Sequence, residues 1–208
     1  MSVINQIMEN LMKGKAKDVA ALVDQALKAG EKPADILNKG LLAGMSVIGD
    51  KFKKNEVYVP EVLIAARAMK EGMKILQPKL AAAGVKPIGT AVIGTVKGDL
   101  HDIGKNLVGM MLEGAGIKVV DLGIDVSPEK FVEGAKANSA AVIGVSALLT
   151  TTMTNMKAVV DAAKAAGIKT KVMIGGAPVT QAFCDEIKAD GYAPDAASAA
   201  DLAKKLLV

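Results

Sequence analysis

The chain has 208 residues, of which 51% are apolar and 23% charged, and its net charge is +4. Such a composition can bury a sizeable core in one domain or two small ones, and it argues against global disorder. Aromatics at 2%, no Trp and lysines scattered a helical turn from acids make a nucleic-acid partner a poor fit, and a single cysteine, Cys184, excludes both a disulfide framework and a cysteine-built zinc site.

The N-terminus, MSVINQIMENLMKGK, has neither the positive start nor the long apolar core of a secretory signal. No run of about 18 apolar residues occurs anywhere, so no membrane partner is expected and a cytoplasmic setting is the default. Residues 1 to about 85 read as helix. Val19, Leu22, Val23, Ala26 and Leu27 form one apolar stripe, Leu37, Leu41, Met45, Ile48 and Phe52 a second, and Val62, Ala65, Ala66, Met69, Met73 and Leu76 a third. Breaks at Gly14, at Gly30 to Pro33 and at Asn55 to Pro60 divide this part into four helices, the pattern of a small bundle. Gln77 to Gly89, with Pro78, Gly84 and Pro87, reads as a linker, giving domains at 1–85 and 86–208.

From Gly89 onward short apolar runs alternate with helical stretches. The predicted strands are Thr90–Gly94, Lys118–Leu122, Ala141–Val145, Lys171–Ile174 and Gly191–Ala193. The predicted helices are His101–Ala115, Pro128–Asn138, Thr152–Ala166, Val179–Ala189 and Ala199–Leu207. This alternation predicts a Rossmann-like, flavodoxin-like parallel sheet of five strands with helices on both faces, so the whole chain reads as α plus α/β. Such sheets bind ligands in the loops after the strands, here Val96–Gly104, Ser146–Thr152 and Gly175–Pro178.

The first loop, Gly98-Asp99-Leu100-His101-Asp102-Ile103-Gly104, carries the only histidine of the chain. Taken alone, a histidine near a helix start is most simply a cap or a hydrogen-bonded surface group. The spacing is neither a phosphate-binding loop nor H-E-x-x-H, and no second histidine is available for a multi-histidine metal site. One imidazole can still act as an axial metal ligand if a macrocycle supplies the other donors, and Asp99 lies close enough in sequence to fix its tautomer. Haem and a corrin both satisfy that argument. The second loop, Ser146-Ala147-Leu148-Leu149-Thr150-Thr151-Thr152, offers four hydroxyls, although a Thr capping the next helix would account for one or two. The third offers Gly175-Gly176, which permits positive φ or close backbone approach.

Together the three loops resemble one family, the cobalamin-binding proteins with the signature D-x-H-x-x-G, S-x-L and G-G. Asp99, His101 and Gly104 match the first element. Ser146 and Leu148 match the second after 41 intervening residues, and Gly175 and Gly176 the third after a further 26. Gly49-Asp50-Lys51-Phe52 and Val57-Tyr58-Val59-Pro60-Glu61-Val62 look like the helical cap of methionine synthase and of the small corrinoid proteins of methyltransferase systems. The resemblance therefore covers essentially the whole chain.

The resemblance implies a cobalamin cofactor, methylcobalamin or a related corrinoid, bound base-off and His-on with His101 as the cobalt ligand. Asp99 would accept the second imidazole N–H. Thr152 would stand where relatives carry a serine that extends this relay. Gly98, Leu100, Asp102, Ile103 and Gly104 would border the corrin, and Ser146, Leu148 and Thr150 would contact its displaced base. Gly175 and Gly176 would leave room for the nucleotide tail, with Tyr192 to Ala196 closing that pocket. Phe52, Val59 and Val62 of the helical part would cover the methyl group. The implied function is a methyl-carrier subunit, not a self-contained enzyme. It would take methyl from a substrate-specific methyltransferase of methylamine, methanol, betaine or aryl-ether type. It would pass the methyl to a second methyltransferase that loads tetrahydrofolate or coenzyme M, and a reductive activase is a further expected partner. The alternatives are a subunit of an adenosylcobalamin mutase or a B12-dependent regulator.

Overall fold

The computed structural model of the chain describes residues 2–208 and contains two compact units, Met1–Pro87 and Ile88–Val208. The first is helical, with α1 (Val3–Met12), α2 (Ala16–Lys28), α3 (Pro33–Asp35), α4 (Ala43–Lys53) and α5 (Val59–Ala82). A π-helical segment, Ile36–Leu42, joins α3 to α4 without a break, so four helical rods result, as the apolar stripes require. The Ser2 hydroxyl accepts the Asn5 N–H and starts α1, and Gly14 at φ +68° makes the turn into α2. Gly40 and Gly44 let the π-helical rod lie close to α1. A Cβ on Gly40 would stand 3.2 Å from Ile7, and one on Gly44 3.0 Å from Leu11.

Helix α5 runs further than expected. Gln77 to Ala82 are helical with Pro78 inside, although an internal proline removes a hydrogen bond of the helix. Leu76 and Leu80 are both buried, so the apolar stripe continues past the proline and tertiary packing overrides the local preference. The connecting segment is therefore only 83–89.

The second unit holds a five-stranded, wholly parallel sheet in the order β2-β1-β3-β4-β5. Its strands are β1 (Thr90–Thr95), β2 (Lys118–Asp121), β3 (Val142–Ser146), β4 (Lys171–Gly175) and β5 (Gly191–Tyr192). Between and after them come α6 (Ile103–Gly114), α7 (Pro128–Ala137), α8 (Thr150–Met153), α9 (Asn155–Ala165), α10 (Gln181–Ile187) and α11 (Ala196–Leu206). Side chains alternate across the sheet. Val92, Ile143, Val172 and Ile174 join Phe131 of α7, Val159 of α9 and Ile187 of α10 in one core. Ile93 points the other way, where Gly109 of α6 comes close enough that a Cβ would stand 3.0 Å from its Cδ1. The chain order reverses between β1 and β3, which makes the carboxyl end of β1 the switch point.

Several element boundaries differ from expectation. Helix α6 begins at Ile103 instead of His101, because the Asp99 carboxylate takes the His101 N–H and holds it in a local turn. The helix expected over Thr152–Ala166 is split at Thr154 into α8 and α9. The last helix begins three residues early, at Ala196, because the Asp195 side chain accepts the Ser198 N–H at 2.8 Å and caps it.

Candidate functional site

The site is built around one buried carboxylate. Asp99 follows β1 and is 0% exposed. Its Oδ1 accepts the His101 main-chain N–H at 3.0 Å and lies 2.8 Å from His101 Nδ1. Its Oδ2 accepts the Leu148 N–H at 2.8 Å, the Leu149 N–H at 3.3 Å and the Thr152 hydroxyl at 2.6 Å. Burial alone would raise the carboxyl, but the Thr152 hydroxyl, the Leu148 and His101 amides and the His101 ring outweigh it and hold Asp99 well below the ordinary carboxylate range. An ionised carboxylate only accepts, so the proton of the neutral imidazole belongs on Nδ1 and the lone pair on Nε2.

That assignment makes His101 something other than a helix cap. Asp102 occupies the cap position of α6, and its Oδ2 accepts from the Asn106 side chain at 3.0 Å. The His101 side chain is 50% exposed, with Nε2 left for a further partner. Around it stand Leu100 at 67% exposure and Ile103 at 79%, with Leu148 and Leu149 also exposed. Exposed apolar side chains gathered about a single imidazole suit a large, flat, partly apolar ligand. Gly104 offers an independent check of that fit. It lies in the first turn of α6, has no positive φ, and a Cβ there would meet nothing within 4 Å. Neither backbone conformation nor packing demands glycine at this position, whereas close approach of a macrocycle beside His101 would. Among the described residues no three His, Cys, Asp or Glu side chains gather to hold a metal ion. A cobalt bound here would thus take His101 as its protein ligand and its other donors from the corrin.

The remaining expected residues divide. Ser146 ends β3 opposite Thr95 and Gly175, and its carbonyl accepts the Val96 N–H at 3.0 Å. Thr150 begins α8 and is exposed. No Thr caps that helix: Leu149 stands at its start without a side-chain bond, and the Thr152 hydroxyl turns to Asp99. Gly98 needs its glycine for φ +83°. Gly176 needs its own for φ +129° and because a Cβ would overlap the Ala147 carbonyl, while a Cβ on Gly175 would stand 3.1 Å from the Ala193 carbonyl. The glycine pair thus serves close approach between neighbouring strand ends of the protein itself. Tyr192 is half-buried against the sheet core, and Ala196 is buried, only 6% exposed. In the helical unit Phe52 is half-buried and Val59 is 36% exposed, but Val62 is 0% exposed. Val62 lies on the α5 stripe with Ala65, Met69, Gly72 and Leu76, so its side chain is core and has no surface to offer a ligand.

Several polar residues escape a reading by motif. Lys105, only 4% exposed, sits in the first turn of α6 and donates to Asp121 at the end of β2 and to Asn106 at 2.8 Å. Asp121 also accepts the Gly123 N–H at 2.8 Å. Thr95 donates to the His101 carbonyl at 2.9 Å, Asn155 of α9 to the Lys97 carbonyl at 2.8 Å, and the Gly98 N–H donates to Asp125 at 2.7 Å. Each holds the His101 loop by its main chain.

Comparison with known proteins shows the family of the chain. Two family profiles, each described as a B12 binding domain, match residues 89–201 and 3–77, the first alone spanning more than half of the chain. The dimethylamine corrinoid protein 2 of Methanosarcina mazei is 43% identical over 208 residues, covering 99% of this chain and 97% of that protein. The trimethylamine corrinoid protein 1 of Methanosarcina acetivorans is 44% identical over 191 residues, covering 90% and 87%. Among solved structures, a chain of the methanol:cobalamin methyltransferase complex MtaBC from Methanosarcina barkeri superposes with a TM-score of 0.89 at 33% identity, covering 99% of this chain and 79% of that one. By its helical and α/β units alike, the chain belongs to the family of B12-binding corrinoid proteins, and a corrinoid is its cofactor.

Proposed function

We propose that this protein carries a methyl group on the cobalt of a corrinoid bound base-off and His-on. It would accept that group from a substrate-specific methyltransferase and deliver it to a second one that loads tetrahydrofolate or coenzyme M. One observation carries the reading: the Asp99 carboxylate fixes Nδ1 of a half-exposed imidazole at 2.8 Å and leaves Nε2 without a hydrogen-bond partner among the described residues. When bound, the corrin supplies cobalt, a nucleophile able to take up and release methyl. This chain's own part is to set the electron supply of one axial nitrogen. An ionised Asp99 accepts the Nδ1 proton of His101 and so sets its tautomer, and the Thr152 hydroxyl, the third member of the relay, donates to Asp99. The Thr152 hydroxyl has one proton and two acceptors in range, Asp99 at 2.6 Å and the Leu149 carbonyl at 3.0 Å. A shift of that proton between them would weaken or strengthen the hold of Asp99 on His101.

The names of the relatives support methylamine and methanol systems as the setting. Dimethylamine and trimethylamine are the donors to try first, with a reductive activase as a further partner. The deciding experiment is reconstitution with cobalamin, using protein whose histidine is labelled with nitrogen-15. The cobalt(II) form should show hyperfine coupling to the labelled nitrogen, and His101→Ala should lose it. Coupling to the benzimidazole nitrogen in the native protein would overturn the proposal. Methyl transfer from methylated amines in the presence of candidate methyltransferases then identifies the donor.

A further inference from the structure

We propose that Asp125 is a positioning residue for the Asp99–His101 pair, a role that rests on the reading of His101 as the axial ligand. The segment 122–127 follows β2 and runs beside the end of β1. The Thr95 N–H donates to the Gly123 carbonyl at 3.0 Å, and the Val126 N–H donates to the Thr95 carbonyl at 2.9 Å. Asp125 continues this lacing in both directions. Its N–H donates to the Asp99 carbonyl at 3.1 Å, and its Oδ1 accepts the Gly98 N–H at 2.7 Å.

The backbone of Asp125 says that this side chain is wanted. Its φ is +52°, in the left-handed region that most residues other than glycine avoid and that aspartate and asparagine enter more readily than the rest. The chain uses glycine for the same purpose at Gly98 (φ +83°) and Gly123 (φ +86°), on either side of the contact. Asp125 is exposed and outside the sheet core, so packing does not account for it. Strain retained at an exposed position points to a role for the group that bears it. Here the carboxylate holds the Gly98 amide, and through it the turn that delivers Asp99.

Two clamps therefore meet on Asp99. The end of β3, through the Leu148 amide and the Thr152 hydroxyl, fixes the carboxylate. Asp125 fixes the main chain. Together they leave the short Asp99 side chain no freedom, and this sets the 2.8 Å contact with the ring. Among the described residues, that hydrogen bond is the one that orients the half-exposed imidazole.

The test uses D125G, which accepts the left-handed backbone but lacks the carboxylate, and D125N, which keeps an oxygen able to accept from Gly98. In the cofactor-free protein, D125G should leave the melting temperature unchanged or higher. It should speed amide exchange at Gly98 at least tenfold and raise the fraction of His101 carrying its proton on Nε2. D125N should restore both readouts towards the native values. With cobalamin, D125G should bind about tenfold more weakly and show reduced histidine coupling. A D125G protein with native Gly98 exchange and native tautomer overturns the proposal, and so does D125N behaving like D125G. If the native protein itself shows no histidine coupling to cobalt, the axial-ligand reading fails, while the cofactor-free measurements still decide whether Asp125 holds the pair.

Discussion

The helical unit and the α/β unit bury different chemistry. In the helical unit the buried side chains described are apolar, from Ile4, Ile7 and Leu11 to Leu76 and Leu80. Side-chain bonds described there include local ones along a helix, such as Asn10 with the Gln6 carbonyl and Lys74 with Glu71. The α/β unit holds every buried polar or charged residue among those described: Thr95, Asp99, Lys105 and Thr152. These four gather at the carboxyl end of β1, where bonds from Asp99 reach 49 to 53 residues along the chain. One unit is specified by volume and the other, at this end, by satisfied polar groups. Volume tolerates exchange of equal for equal. A buried polar network does not, because each lost partner leaves another group unpaired in a dry place.

The largest difference should come from glycine. Gly176 in the α/β unit combines φ +129° with overlap of any Cβ on the Ala147 carbonyl. Gly30 in the helical unit has φ +84° and nothing within 4 Å. Gly176→Ala should therefore cost at least about 3 kcal/mol, and Gly30→Ala only about 1 kcal/mol. Urea unfolding of the two variants measures both. Equal costs would mean that the crowding at Gly176 is not structural.

Next comes an equal-volume exchange in each unit. Leu76→Met replaces one buried apolar side chain by another and should cost less than about 1.5 kcal/mol. Asp99→Asn changes hardly any volume, yet its amide nitrogen must face either the His101 donors or the Leu148 and Thr152 donors. We expect a loss of about 2–3 kcal/mol at neutral pH. The loss should depend on pH in one direction. The Asp99 carboxyl is held below its unfolded value of about 3.9, so its contribution is complete above that value and fades as pH falls towards the folded one. The gap between native and D99N protein should thus narrow as the pH falls below about 4. The gap for Leu76→Met should not change with pH.

The same contrast explains what could be read from the sequence. Periodicity follows volume, so the four helical rods, the five strands and the sheet class were legible from apolar spacing. Val62 belonged to the third stripe in that pattern, and the structure follows the stripe. Pro78 misled because a local breaker was weighed without the burial of Leu80 beyond it. At the site, the Asp99–His101 contact was legible because the two stand two residues apart, whereas Gly104 gained a role only through family resemblance. Lys105, Asp125 and Asn155 were not legible. Their partners are Asp121, Gly98 and Lys97, which lie 16, 27 and 58 residues away, and no local pattern marks a bond of that span. Thr152 entered only through family resemblance, since a threonine six residues past a serine has no intrinsic meaning.

The smallest effect should also be the most telling, because its sign divides the protein's own stability from its ligand's needs. Gly104 stands in the first turn of α6 with open space where a side chain would be. Glycine within a helix is less favourable than alanine by about 0.5–1 kcal/mol, since it loses more backbone freedom on folding. Gly104→Ala should therefore stabilise the cofactor-free protein by up to about that amount in urea unfolding. The added methyl would at the same time occupy surface beside His101 that the corrin needs, so cobalamin affinity should fall. A gain in stability without a loss of affinity would place the corrin away from α6, and a loss of stability would mean that the space beside Gly104 is not open. Gly40, Gly44 and Gly72 of the helical unit do not offer this test, because the protein's own side chains would meet a Cβ there at 3.0–3.2 Å. Gly104→Ala thus separates what the protein's own stability favours at this position from what a ligand bound beside His101 would need.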